Sequence, residues 1–307
     1  MFLRRADRKG RTAILKELKC VNIEVSDLTF SYGKKPVLIV SNATFEAGMV
    51  YGIVGKNGAG KTTFFKSLTN IITNYTGEVL VGGEDIKKNP AILANVGIVL
   101  DDMELYKNKT GMFNLRYFGG LRGGFDENKA IQLANELNIA QNLDEKVSSY
   151  SLGMNKKLTL LIALMNDARI LIFDEPFRGL DATSVTWFRE FLLGLKRENR
   201  IILISSHVQD DIETLSDKVL VLQDGDFINE FDLKNEKQKF IYKVEVNEES
   251  RFTKLLSDTG VSFVKQGKFI EFNTDLNQYK EIFKVAIAQD IEFYQVKKSS
   301  EFTKFVN

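Results

Sequence analysis

The stretch "GKNGAGKTT", residues 55 to 63, joins the apolar run "MVYGIV" to a segment of helical spacing and fits the phosphate-loop pattern G-x-x-x-x-G-K-[ST]. Gly55, Gly58 and Gly60 let backbone N–H groups come close to phosphate oxygens and take positive φ, and the helix that follows points its positive dipole end at the same spot. Asn57 and Thr63 belong to the same phosphate-gripping loop. Lys61 reaches the β- and γ-phosphates, and the Thr62 hydroxyl takes a Mg²⁺ position. A second acidic element follows in "RILIFDEP", residues 169 to 176, an apolar strand ending in two carboxylates. Asp174 at the strand mouth holds Mg²⁺ through water, while Glu175, on the other side of the pleat, is free to orient or deprotonate an attacking water. "ILISSH", residues 202 to 207, carries the only histidine of the chain. Taken alone, His207 reads first as a structural residue, although histidine is the one side chain that changes charge between about pH 5 and 8.

The elements that must position these residues alternate. From about 21 to 100 the runs "VNIEVSDLTF", "ATFEAGMVYGIVG", "GEVLVGG" and "NVGIVL" read as strands, with "GKTTFFKSLTNII" as a helix whose Phe64, Leu68, Ile71 and Ile72 share one face. From about 105 to 165 the pattern is helical, and "DENKAIQLANELNIA" places Ile131, Ala134 and Leu137 or Asn138 on one side. Strand character returns in "ARILIFDE", "RIILISSH" and "DKVLVLQDGDFI", with the helical "ATSVTWFREFLLGLK" between them. Strands alternating with helices predict a parallel sheet flanked by helices. The ends of its strands gather ligand-binding residues at one edge, which sets His207 beside the phosphate loop and Asp174. After about 230, "KFIYKVEV", "EESRFTKLLSDTG", "VSFVKQGKFIEF", "DLNQYKEIFKVAIA" and "IEFYQV" run β-α-β-β-α-β, the order of a small ferredoxin-like module.

With 307 residues and 44% apolar content, the chain has room for about two domains. Its 42 Lys+Arg and 41 Asp+Glu nearly cancel, so no nucleic-acid partner is expected. Residues 1 to 20 are a local exception, with seven basic side chains (Arg4, Arg5, Arg8, Lys9, Arg11, Lys16, Lys19) against two acids. They are either a membrane-surface or partner-binding arm or a solvated basic tail. The single Cys20 excludes an intrachain disulfide and fits a reducing compartment. Apolar runs such as "LTLLIALM" fall short of the roughly 18 to 20 residues that span a bilayer, and no apolar segment of signal-peptide kind follows the basic start. A cytoplasmic protein whose membrane role comes through a partner is expected.

The motifs, in their order, resemble those of the ATP-binding cassette family, the ATPase subunits of ABC transporters, over about residues 21 to 229. The resemblance implies an α/β phosphate-loop NTPase of ABC type, with a mixed sheet core and a helical subdomain at about 102 to 165. The ferredoxin-like α+β module would follow at 230 to 307. It further implies that Tyr32 in "FSYG" stacks on adenine, although an aromatic there fits a core equally well. "YSLGMNKKL", residues 150 to 158, is similar to the family signature in the form found in drug and bacteriocin exporters. Ser151 and Gly153 would then reach the γ-phosphate of ATP held by the opposite subunit. Asp181 in "GLD" corresponds to the loop that communicates across the dimer, and His207 to the switch histidine. Asp101 stands where the family has a glutamine, and a carboxylate there can ligate Mg²⁺ directly or through water.

What the resemblance implies is ATP hydrolysis by a homodimer or a pair of ABC subunits closing on two ATP. The pair would sit on the inner face of the cell membrane and energise a polytopic permease that exports a peptide, bacteriocin or drug-like molecule. Phe113, Tyr117, Phe118 and Phe125 form either the docking surface for that permease or the core of the helical subdomain. Two rival functions remain: a non-transport ABC protein, and a nucleotide-sensing regulator that Asp101 would suit.

Overall fold

The computed structural model of the chain describes residues 22–121, 124–234 and 239–305. The basic segment 1–20, with Cys20, lies outside the described residues. An antiparallel sheet opens the fold. β1 (Ile23–Tyr32) pairs with β2 (Lys35–Phe45) on one side and β4 (Thr76–Val81) on the other, and β4 with the short β5 (Glu84–Asp85). Alternation turns Ile23 and Val25 inward, then Leu28 and Phe30. The phase shifts at Asp27, whose φ of 50° marks the irregular pairing on that stretch. This antiparallel layer stands beside the parallel, helix-flanked sheet read from the alternation of strands and helices, and the mixed sheet core implied by the resemblance holds both.

The second sheet has six strands in the order β10-β9-β3-β8-β7-β6. β3 (Val50–Val54), β6 (Val96–Val99), β7 (Ile170–Asp174), β8 (Ile201–Ser205) and β9 (Lys218–Gln223) run parallel, and β10 (Asp226–Asp232) turns back against β9. Every residue of β3, β7 and β8 is buried, as continuous apolar runs covered on both faces require. Between the two sheets lies α1 (Lys61–Leu68). Its Phe64 and Phe65 are fully buried, with Phe64 against Phe45 at 6.1 Å and edge-on to Phe227 at 5.0 Å. Each such phenylalanine contributes about 2 to 3 kcal/mol by leaving water. The helix ends at Leu68, so Ile71 and Ile72 are not part of its face, and Ile71 is exposed.

The helical insert comprises α2 (Gly111–Leu121), α3 (Glu127–Glu136) and α4 (Leu152–Leu164). Of the expected face of α3, Ala134 and Leu137 are buried, together with Ala130 and Leu133, whereas Ile131 is exposed. Leu133 and Leu137 both pack inward, so the apolar stripe runs through them and past Ile131. The aromatics of this region divide. Phe118 and Phe125 pack against the core, whereas Phe113 and Tyr117 are exposed and stacked at 6.0 Å.

The remaining helices of this half are α5 (Ala182–Arg197) and the short α6 (Gln209–Leu215). After them come β11 (Lys239–Val246), α7 (Glu249–Asp258), β12 (Phe263–Gln266), β13 (Phe269–Asp275), α8 (Leu276–Ala288) and β14 (Phe293–Ser300). Their sheet order, β12-β13-β11-β14 with all neighbours antiparallel, is the ferredoxin-like arrangement. Phe240, Tyr242, Val244 and Val246 all pack on its core. The final turn, Glu301–Phe305, leaves that core: Phe302 is fully buried among Ile212, Leu215, Val219 and Val221 of the nucleotide-side half.

Asp217, in front of β9, binds several elements at once. Its buried carboxylate accepts from the Val50 N–H at 2.9 Å and from Lys196 at 2.5 Å, and it pairs with Lys234. Burial pushes this carboxyl up, but the hydrogen bonds from Lys196, Lys234 and Val50 outweigh it and hold the group below the ordinary range. Asp217→Ala is expected to lower stability by about 3 kcal/mol in urea unfolding, because it leaves Lys196 without its partner; the loss is moderated by the access of Lys234 to water. The depressed value makes this contribution full above the unfolded carboxyl value of about 3.9 and progressively lost as pH falls below it, so the deficit of the variant should shrink in acid.

Candidate active site

Register builds the site. Across the central strands Ile53 lies opposite Ser205, and Ser205 opposite Asp174, so three adjacent parallel strands end level with one another. β3 runs straight into Gly55, whose φ is 156°; a Cβ there would stand 2.1 Å from the Leu222 carbonyl oxygen. Gly60, with φ 108°, caps α1, and a Cβ on it would press on Leu38 and on the Val37 carbonyl at 3.0 Å. Only glycine meets both demands, and the loop is thereby wrapped over the helix N-terminus.

A cleft of about 450 Å³ opens there, lined by Tyr32, Asn57, Gly58, Gly60, Lys61, Thr62, Thr63, Asp101, Asp174, Glu175, Arg178 and His207, along with Val37 and Ala59. Gly55 stands behind the loop. Lys61 donates to the Gly55 carbonyl at 2.6 Å and to the Lys56 carbonyl at 3.3 Å, so its ammonium is curled under the loop's own oxygens. Burial pulls its pKa down, against the upward pull of Glu175 and Asp174. Tyr32 is 57% exposed at the rim, its ring nearly perpendicular to that of Phe30 at 4.8 Å.

Asp174 is 2% exposed and accepts from Thr62 Oγ1 and from Ser205 Oγ, each at 2.5 Å. Ser205 also accepts the Glu175 N–H at 3.2 Å, so one hydroxyl holds both acids. Glu175 adopts φ 48°, an uncommon left-handed conformation for a non-glycine residue, which turns its side chain away from the strand. Its Oε2 accepts the His207 N–H at 3.3 Å; its Oε1 lies 3.3 Å from His207 Nε2 but has no hydrogen-bond partner. The backbone hydrogen bond ties the two residues together, and the ring stands alongside it. Burial raises the Glu175 pKa, and His207 only partly offsets this.

The hard oxygens of Thr62 and Asp174, side by side at 2.5 Å, suit Mg²⁺. Among the described residues no group of three or more His, Cys, Asp or Glu stands ready for a metal ion, so phosphate oxygens would have to complete the shell. Asp101 borders the same cleft but accepts from Arg178 at 2.9 Å, and reaching a metal would require it to leave that partner.

Ser151, Gly153 and Asp181 do not line the cleft. Ser151 caps α4, accepting the Met154 N–H at 3.2 Å, and a Cβ on Gly153 would stand 2.9 Å from the Gly179 carbonyl oxygen. Asp181 caps α5 through the Ser184 N–H at 2.8 Å and pairs with Lys157 at 2.8 Å. The hydrogen bond from Lys157, followed by that from Ser184, holds its carboxyl well below the usual carboxylate range. The signature turn and the loop after β7 are therefore one unit, displayed on the surface beside the 73%-exposed Leu152. Sequence reasoning missed Ser205, Arg178 and Lys156. Ser205 was signalled by its place one residue before "SH" in the same strand end. Lys156 is pulled down in pKa by burial against the attraction of Asp101, Asp174 and Glu175.

The ABC transporter family pattern matches residues 38–178. The ABC transporter ATP-binding protein NatA of Bacillus subtilis is 37% identical over 206 residues, covering 65% of this chain and 84% of that protein. The bacitracin transport ATP-binding protein BcrA of Enterococcus faecalis is 34% identical over 213 residues, 69% of each chain. A solved ATP-binding subunit of an ABC transporter superposes with a TM-score of 0.64 at 24% identity, over 69% of this chain and 90% of its own, which speaks for the fold alone.

Lys61→Ala is expected to abolish tight binding of a fluorescent ATP analogue while leaving the circular-dichroism spectrum unchanged. Retained affinity would remove Lys61 from the phosphate site.

Proposed function

The chain belongs to the ABC transporter family of ATP-binding proteins, hydrolysing ATP in the service of transport, and from that premise we propose the following working cycle. Two subunits close head to tail around two ATP and drive a separate polytopic permease that exports a peptide, bacteriocin or drug-like molecule. The bacitracin transporter named among the relatives supports that substrate class. No helix among the described residues is long and apolar enough to cross a membrane, so the spanning part is assigned to the permease, with this subunit on its inner face. The observation that carries the reading is Glu175 in the lining of the phosphate-loop cleft, its Oε2 accepting the His207 N–H at 3.3 Å and its Oε1 3.3 Å from the His207 ring, so that a carboxylate and a histidine stand together beside Lys61 and Thr62.

In this cycle Tyr32 stacks on adenine, and the N–H groups of residues 57 to 63, with Lys61, hold the β- and γ-phosphates. Thr62 and Asp174 would hold Mg²⁺, which when bound neutralises charge on the phosphates. Water attacks the γ-phosphorus, the bond to the β–γ bridging oxygen breaks, and the water's proton passes to Glu175 as ADP and phosphate form. The raised pKa of Glu175 makes it a better proton acceptor than an ordinary surface glutamate. His207, held at 3.3 Å by Glu175, donates to the γ-phosphate or the water. Ser151 and Gly153, displayed outside the cleft of their own subunit, complete the cleft of the partner, and Asp181 braces that turn through Lys157. Positioning and charge stabilisation do most of the work, so neither half-site suffices alone. The permease is assigned to the exposed Phe113 and Tyr117, which border a cavity of about 540 Å³ with Met112, Arg116 and Asp144.

Glu175→Gln is expected to slow hydrolysis by about 10²- to 10⁴-fold while keeping ATP affinity. It should also accumulate an ATP-dependent dimer by light scattering. Normal turnover would strip Glu175 of its role, and a monomer at saturating ATP would sink the paired-site cycle. Purification of the tagged chain from solubilised membranes should bring down a polytopic protein, and its loss on Tyr117→Ala would locate the docking surface.

A further inference from the structure

α6 begins two residues after His207, and its far side is held by the C-terminal module. Glu213 Oε1 accepts from Gln209 Nε2 at 2.8 Å, one turn back toward His207, and from the Ser300 N–H at 2.8 Å, where β14 ends. Two residues further on, Phe302 is fully buried in one cluster with Ile212 and Leu215 of α6. On the catalytic side the same short element is tied by the Ser206 hydroxyl, which donates to Asp211 at 3.0 Å and accepts the Val208 N–H at 3.0 Å. Arg189 of α5 also pairs with Asp211. A helix of seven residues has too few internal hydrogen bonds to be stable by itself, so its position is decided by these outside contacts.

We infer that Glu213 is a positioning residue through which the C-terminal module sets the placement of the His207 turn, and hence the rate of hydrolysis. The inference rests on the role assigned to His207 above. Gln209 and Ser300 meet on one carboxylate oxygen, so a shift of β14 is passed directly to the first turn of α6. The C-terminal module thereby gains a function: whatever binds or pairs with it reaches the chemistry through α6 rather than through the nucleotide cleft.

The test uses the full-length chain with saturating Mg·ATP. Glu213→Ala is expected to lower kcat by about three- to thirtyfold with ATP affinity unchanged. It should speed amide hydrogen exchange over residues 206 to 211. Glu213→Gln, which keeps an acceptor oxygen, should restore both. In a His207→Ala background, Glu213→Ala should cost nothing further in kcat. An equal loss in both backgrounds, an unchanged kcat in the parental chain, or unaltered exchange overturns the coupling. Normal turnover of His207→Ala by itself overturns the role of His207 and the coupling with it. A slow His207→Ala beside a silent Glu213→Ala overturns the coupling alone.

Discussion

Everything at this site depends on the parallel register of three strands. Ile53, Ser205 and Asp174 stand level across β3, β8 and β7, so the phosphate loop, the serine and the two acids leave the sheet at one height. A slip of one residue in any of these strands would turn its polar end residue into the apolar layer. The burial of all residues of these strands forbids it, because each register error would place polar atoms where no water or partner exists. The core therefore specifies the geometry of a cleft it does not itself line.

Charge couples the helical insert to this frame. Lys157 on α4 reaches Asp181, and Arg178 reaches Asp101 from the loop after β7, so two ion pairs span the boundary between the insert and the sheet. Both have a well-exposed member, and pairs of that kind contribute little to stability. Their value lies in orientation: they hold the signature turn and the residues after β6 at fixed distances from Asp174 and Glu175. Lys156 adds a positive charge to the same region, which the combined field of Asp101, Asp174 and Glu175 attracts.

The ferredoxin-like module has its own core, with Tyr242 stacked on Tyr279 at 4.0 Å, yet its last turn belongs to another cluster. Phe302 packs on the far side of α6, and Phe231 lies 6.4 Å from it. Burial of one phenylalanine plus a shared carboxylate makes a joint at one short helix. The turn at His207 is thus held from two sides, by the Glu175 carboxylate at the sheet and by the C-terminal residues behind α6.

Much of this was legible in the chain itself. A phosphate loop needs glycines at set intervals before a helix, and acidic residues at the end of an apolar strand need no distant partner to be recognised; so Gly55 to Thr63, Asp174 and Glu175 could be read from local spacing. The ferredoxin-like order was readable for the same reason, since alternation and helical spacing are local signals. What spacing could not say was whether Ile131 or Leu133 joins Ala134 and Leu137 on the buried face of α3, since the two are equally apolar and only the neighbouring helices choose between them. Nor could it say that β1, β2 and β4 form a separate antiparallel layer, because pairing partners lie tens of residues apart. Arg178 and the Glu213–Ser300 bond were invisible on the same ground. A hydrogen bond between residues 87 positions apart leaves no trace in either local sequence, and is decided only when the sheet and its returning C-terminal turn bring the two together.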